Sequence, residues 1–280
     1  MNIKKPDWLK VSLATTGSYS EVRQIVKQHQ LHTICTSGKC PNIGDCWARG
    51  TATFMILGEI CTRSCKFCNT LTGKPLALDT KEPEKVAESI RLMGLKHAVV
   101  TSVDRDDLED QGANHWAKTI RTIKEKNPNT TIETLIPDFQ GRKDLIAIVI
   151  NAHPEIISHN METVKRLTPL VRSAAKYDTS LQVLRQIAES GIIAKSGIML
   201  GLGETEAEVL ETMDDLRSVG CSVMTIGQYL QPTRKHLPVV EYITPQQFRL
   251  YEEIGIQKGF RQVESGPLVR SSYHAEKSLP

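Results

Sequence analysis

From Thr53 onward the chain alternates two hydrophobic rhythms. Short, nearly continuous apolar runs read as buried strands, near 53–58, 97–103, 131–136, 155–159, 193–200 and 223–230. Between them, apolar positions recur every three or four residues, which predicts helices near 82–94, 112–126, 142–151, 178–190 and 204–219. A last helix near 244–258 completes six strand–helix units, the alternation of a parallel α/β fold. Before Thr53 this strand–helix alternation is absent. Residues 1 to about 17 read as an extended arm anchored by Lys4, Lys5, Pro6 and Trp8. Ser18 or Ser20 then caps a helix running through Val22, Ile25 and Val26 to about Leu31. The tail after about Gly259 reads as loop.

The cysteines change this picture of a plain α/β chain. Six of the seven fall between Cys35 and Cys68, in two triplets: Cys35, Cys40 and Cys46, then Cys61, Cys65 and Cys68. Gly38, Pro41, Asn42 and Gly44 make the first triplet a turn-rich loop suited to wrapping an inorganic core. The second follows the first strand, so it lies at that strand's C-terminal end, where barrel active sites sit. Each triplet is one thiolate short of the usual four ligands of a cubane cluster, which leaves one iron open to something else. A disulfide framework is not needed by a 280-residue chain without a signal peptide. Structural zinc takes paired CxxC knuckles and closes four positions, which two three-cysteine sets fit poorly. Chance clustering of inert thiols does not produce this density. Cys221 stands apart and reads as a buried, inert thiol.

Charge adds mainly exclusions. With 35 Lys and Arg against 32 Asp and Glu, the net charge of +3 argues for no nucleic-acid partner. No apolar run approaches a membrane span. The start, MNIKKPDWLK, has no signal-peptide core, and iron-bound thiolates imply a reducing compartment, so the cytoplasm is the expectation.

The run CxxxCxxC (CTRSCKFC) is similar to the radical S-adenosylmethionine (SAM) pattern. Together with C-x4-C-x5-C enclosing CPN, and with Arg270-Ser-Ser-Tyr273 near the end, it resembles the lipoyl synthases, from about Trp8 to about His274. That resemblance implies a partial (β/α)6 TIM-type barrel with N-terminal and C-terminal extensions. The corresponding divisions are 1–52 carrying the auxiliary cysteines, 53–258 for the barrel and 259–280 for the tail. It implies two [4Fe–4S] clusters and SAM. The cluster at Cys61, Cys65 and Cys68 binds and cleaves SAM to a 5′-deoxyadenosyl radical. The auxiliary cluster at Cys35, Cys40 and Cys46 is completed by a serine of the tail, Ser272 rather than Ser271, and donates sulfur. The implied substrate is an octanoyl group on a lysine of a lipoyl carrier domain, in 2-oxoacid dehydrogenase acyltransferase subunits or the glycine-cleavage carrier protein. Sulfur enters at C6 and C8, and the reductant is of ferredoxin or flavodoxin type. No side chain is assigned acid–base or nucleophilic chemistry, because unactivated carbons need a radical. Thr36, Ser37, Asp45, Lys66 and Asn69 depart from the expected motif wording without touching a ligand position.

Polar residues at the strand ends are the candidates for holding SAM. The second strand ends in Thr101, Ser102 and Asp104, acceptors for an amine, though a capped turn with solvated aspartates would read the same. Glu133, inside an apolar strand, either lines the barrel interior or faces the helix layer. Asn160 is a SAM contact by resemblance, whereas His159 beside it reads as structural. Arg172 and Lys195 are possible carboxylate partners. Gly197, Met199, Gly201 and Glu204 match GxIxGxxE with Met in the Ile place, where glycine lets an adenine approach the backbone. Gly227 to Thr233 offers a wall for a substrate tunnel.

Overall fold

The computed structural model describes residues 4–10, 17–29, 31–49 and 51–279. Most of the expected arm lies outside them, as does the side chain of Ser18. Within the arm, Asp7–Leu9 forms a single 3-10 turn with Leu9 fully buried. The chain divides into two compact units. One comprises Val11–Arg63 and Asn69–Ile156; the other comprises Met1–Lys10, Ser64–Cys68 and Ile157–Pro280.

The first unit starts with helix α1, Gly17–Gln28, and strand β1, His32–Thr33, which pairs antiparallel with β2, Thr53–Ile56. Between them the first cysteine triplet forms two short helices, α2 (Ile34–Ser37) and α3 (Ile43–Ala48), where the sequence suggests a loop. The Thr33 hydroxyl caps α2 by accepting from Thr36 N–H. One turn is too short to show an apolar period, which is why only the turn residues were legible. A two-residue parallel ladder joins β3 (Ile60–Cys61) to β4 (Leu71–Thr72). Helix α4 (Glu82–Leu92), β5 (His97–Ser102), α5 (Ala113–Lys126), β6 (Thr131–Leu135) and α6 (Lys143–Ile150) follow at the expected places. β2, β5 and β6 run parallel. All of β2 is buried, as a parallel strand covered on both faces should be.

The second unit carries the strand order β7 (Ile156–Ser158), β8 (Ile193–Leu200), β9 (Val223–Gln228) and β10 (Gln262–Gly266). Its helices are α7 (Thr168–Val171), α8 (Tyr177–Glu189), α9 (Glu206–Ser218) and α10 (Pro245–Gln257). A capping box starts α9, with Thr205 and Glu208 bonding reciprocally. Thr244 caps α10 and Pro245 opens it. The core joins Leu184, Ile198, Leu200, Met213, Ile226 and Phe248.

β10 corrects the expectation of a loop-like tail. Gln262–Gly266 pairs parallel with β9 from Gln262↔Val223 to Gly266↔Gly227. Its sequence, QVESG, offers one apolar residue, Val263, so no hydrophobic alternation announced it. Glycine at 227 is required there, because a Cβ would collide with the Val269 carbonyl.

Candidate metal centres and ligand site

In the first unit Cys35 lies in α2, Cys46 in α3 and Cys40 between them. Backbone bonds fix the spacing: Cys40 N–H donates to Cys35 O at 3.0 Å and Cys46 N–H to Asn42 O at 2.9 Å. The thiols pack with Val22, Trp47 and Ala52, and Tyr19 stacks against Trp47 with ring centroids 5.3 Å apart. Burial raises the Cys35 pKa, and a charged Cys40 raises it further. The Thr53 N–H and the Trp47 side chain oppose that rise. Cys46 is pushed up to about 11 by burial, then by Cys40 and Cys35. These three sulfurs are therefore close enough to repel one another as thiolates. In the free protein these thiols escape that repulsion by keeping their protons, and a bound cationic iron core would relieve it with the protons gone. Arg49 adds partial compensation, 3.8 Å from Cys46 Sγ and 2.9 Å from Asp45. The tail serines both sit half-buried in a turn that Tyr273 N–H closes onto Arg270 O at 2.8 Å.

Cys61 ends β3 with two backbone donors aimed at its sulfur: Arg63 N–H and Asp104 N–H, each 3.4 Å from Sγ. Asp104 Oδ2 is 3.7 Å from the same sulfur. Burial raises the Asp104 pKa to about 6 against the pull of Arg63. Arg63 itself is buried among three carboxylates, of Asp104, Asp106 and Asp138. In the second unit, Ser64 N–H donates to Ser173 Oγ at 3.1 Å, and Cys65 Sγ lies 3.8 Å from that oxygen. Lys66 N–H donates to Val171 O at 2.9 Å and Lys66 O accepts from Leu237 N–H at 3.2 Å. His236 Nε2–H donates to Cys68 O at 2.9 Å, while its Nδ1 faces Thr233 Oγ1 at 2.9 Å. Asn69, a departure from the motif, donates its amide to Ser37 O at 2.8 Å and so ties the residue after Cys68 to the first triplet. Among the described residues no three His, Cys, Asp or Glu side chains converge as ligands of a single ion do.

The strand-end candidates separate by their bonding. Thr101 spends its hydroxyl on Leu135 O at 3.2 Å, while Ser102 Oγ is buried with no partner among the described residues. Glu133 is 1 % exposed, with Oε2 3.9 Å from His97 Nε2. In the second unit Asn160, Gly197 and Met199 come together. Asn160 Oδ1 is buried with no partner among the described residues, 3.2 Å from where a Cβ on Gly197 would stand. Met199 N–H donates to Glu162 O at 2.8 Å, and Glu162 N–H to Gly197 O at 3.0 Å. Glu162 escaped the sequence reading. Its backbone is left-handed (φ 66°), and burial raises its carboxyl pKa, opposed by Arg172 and by Asn160. Only its place two residues after Asn160 at a strand end could have flagged it.

Other polar residues are occupied. His159 Nε2 and Arg172 Nη1 meet Ser180 Oγ at 2.9 and 2.8 Å, so His159 is structural here. Lys195 is 1 % exposed within β8. The Glu204 carboxylate accepts from Gly201 and Leu202 N–H and closes its own turn. Gly201 (φ 100°) needs that freedom, since a Cβ would meet Gln228 and the Glu241 carbonyl. Cys221 is fully buried, its thiol pushed up to about 12 by burial and facing the Ala194 and Val223 carbonyls.

This arrangement fits a known class. Residues 55–216 match the family model of the radical SAM superfamily. The fold is similar to that of methylornithine synthase, with TM-score 0.55 and 11% identity over 91% of this chain and 83% of that one. It is also similar to coproporphyrinogen III oxidase from Escherichia coli, a radical SAM enzyme, with TM-score 0.52 and 12% identity over 73% and 52%. Those likenesses carry the fold alone, a partial TIM-type α/β barrel, and the chain is a radical SAM protein. Relatives of much higher identity narrow the class. The chain is 69% identical to a lipoyl synthase of Parabacteroides distasonis over 278 residues, 99% of each chain. It is 65% identical to that of Porphyromonas gingivalis over 99% of each, and 63% to that of Treponema denticola over 99% and 96%. It belongs to the lipoyl synthase family.

Proposed function

We propose that this lipoyl synthase inserts two sulfur atoms, at C6 and C8, into an octanoyl group held on a lysine of a carrier domain. Octanoylated acyltransferase subunits of 2-oxoacid dehydrogenases and the glycine-cleavage carrier protein are the substrates, and a ferredoxin or flavodoxin supplies electrons. When bound, SAM and the two [4Fe–4S] clusters supply the hydrogen-abstracting radical and the sulfur. Cys61, Cys65 and Cys68 hold one cluster; Cys35, Cys40, Cys46 and Ser272 hold the other. The hard hydroxyl oxygen of Ser272 is a weak iron ligand, which suits a cluster that gives up sulfide. Residues 1–52 then act as the sulfur-carrying extension and 53–258 as the radical-generating barrel, while 259–280 adds strand β10 to its sheet before the tail that supplies the last ligand.

The protein's own work is to bind, orient and exclude water. The observation that carries the reading is the pairing of crowded thiols with orphaned acceptors. Among the described residues Ser102 Oγ and Asn160 Oδ1 are buried polar atoms without partners, which costs stability unless a ligand meets them. In the first unit Thr101, Asp104 and Glu133, and in the second Glu162, likewise carry oxygens suited to the amine or hydroxyls of SAM. Gly197, Met199 and Gly201 leave a flat backbone for its adenine. No described helix is long and apolar enough to cross a membrane. Thiolates that bind iron favour a reducing compartment, which supports the cytoplasm as the proposed location. The test is anaerobic turnover of reconstituted protein with an octanoylated carrier domain. Lipoyl product with about two SAM cleaved per product is expected, one per hydrogen abstracted. Product from free octanoate, or carrier left unmodified, would refute the assignment.

A further inference from the structure

Arg63 lies between the first two cysteines of the second triplet, yet its side chain is only 6 % exposed. Nε is 2.7 Å from Asp106 Oδ2 and 3.3 Å from Asp104 Oδ1. Nη2 reaches Asp106 Oδ1 and Asp138 Oδ1, both at 2.8 Å. The fork on Asp106 is bidentate, a geometry that only a planar guanidinium offers. The carboxylates are themselves anchored. Asp106 accepts from Thr62 Oγ1 and Gln140 Nε2, each at 3.1 Å, and Asp138 from Gln140 N–H at 2.9 Å. Thr62 N–H also donates to Asp104 O at 3.1 Å.

The two backbone N–H groups aimed at Cys61 Sγ belong to Arg63 and Asp104, two members of this ion cluster. We infer that Arg63 is a positioning residue: its clamp on Asp104, Asp106 and Asp138 presets the Cys61 sulfur and its two N–H donors before iron arrives. This inference rests on the reading of Cys61 as a ligand of the SAM-binding cluster. Two consequences follow. The second triplet loses cluster occupancy without the clamp, because one of its three ligands is no longer held. Any cluster that remains has a more negative potential, because N–H donors to ligand sulfur favour the more negatively charged, reduced state.

The test compares wild type, Arg63→Lys and Asp138→Asn, reconstituted anaerobically. Arg63→Lys keeps the charge but loses the fork, and Asp138→Asn removes one carboxylate remote from the cysteine. Expected for Arg63→Lys is a fall from about eight irons per chain to about four. The spin signal perturbed by SAM is lost, and the signal that SAM leaves unchanged is retained. Asp138→Asn, with the clamp weakened at one carboxylate, shows a smaller loss of iron from the same cluster. A merely structural role would deplete both clusters together, and that result overturns the inference. Full iron in both variants, with unshifted potential in Arg63→Lys, also overturns it. A wild type that reconstitutes with no SAM-perturbed signal at all removes the reading of Cys61 as a cluster ligand, and the inference with it.

Discussion

Gly197→Ala tests how tightly β8 is built under the ligand site. Gly197 faces Thr225 across the β8–β9 ladder, and both residues are buried. A Cβ there would fall inside the contact distance of Thr225 Oγ1, and would stand 3.2 Å from Asn160 Oδ1 and 3.4 Å from Thr225 O. Thr225 is β-branched within a strand and has little rotational freedom to yield. Overpacking of this kind costs about 1–3 kcal/mol. For a chain of this size that lowers the melting temperature by roughly 2–4 °C per kcal/mol. The clash names its own remedy. Thr225→Ala removes the offending hydroxyl, whose bond to Ser196 O is long at 3.5 Å. Thermal unfolding of the two single variants and the double variant forms a cycle. The double variant should regain about 0.5–3 kcal/mol over the sum of the singles. Gly197→Ala should also weaken SAM binding to the reconstituted protein, because Asn160 is displaced. Additive destabilisation, or a Gly197→Ala protein as stable as wild type, would refute the packing argument.

Two further outcomes follow from the second unit. Glu208 caps α9 and pairs with Arg166 at 2.6 Å, which holds its carboxyl down to about 2 from an ordinary value of 4.5. A depressed folded pKa means that this contribution is full above pH 4.5 and is lost as the pH falls through about 2. Glu208→Gln should therefore cost about 1 kcal/mol near neutrality by chemical denaturation, with the difference from wild type shrinking in acid. A gap that persists at pH 2 would contradict the assignment. Cys221, fully buried with its thiol pushed up to about 12, should resist alkylation in the folded apo-protein at pH 8, while cysteines of the second triplet label. Mass-spectrometric detection of rapid labelling at Cys221 would show that its pocket opens.

Six strands and most helices were legible because parallel strands buried on both faces are continuous apolar runs and amphipathic helices show their period. β10 was not, since QVESG takes its order from pairing with β9 rather than from its own side chains. The helices of the first triplet were too short to carry a period. Cysteine spacing declared the cluster loops, because ligand type is written in the sequence. What surrounds the ligands is not. Arg63 reads as one more solvated cation until the fold brings in Asp106 and Asp138, 43 and 75 residues away. Glu162 likewise becomes notable only when burial and the neighbouring Arg172 are visible. Asn160 was named by resemblance, but its orphaned oxygen could be found only in three dimensions.

The two cysteine triplets are proposed to hold two separate clusters. Iron and acid-labile sulfide per chain, counted on anaerobically reconstituted wild type, Cys61→Ala and Cys40→Ala, test it most directly. About eight irons are expected in the wild type and about four in each variant, with the SAM-perturbed spin signal lost only in Cys61→Ala. About four irons in fully reconstituted wild type, or zinc in place of iron, would contradict it.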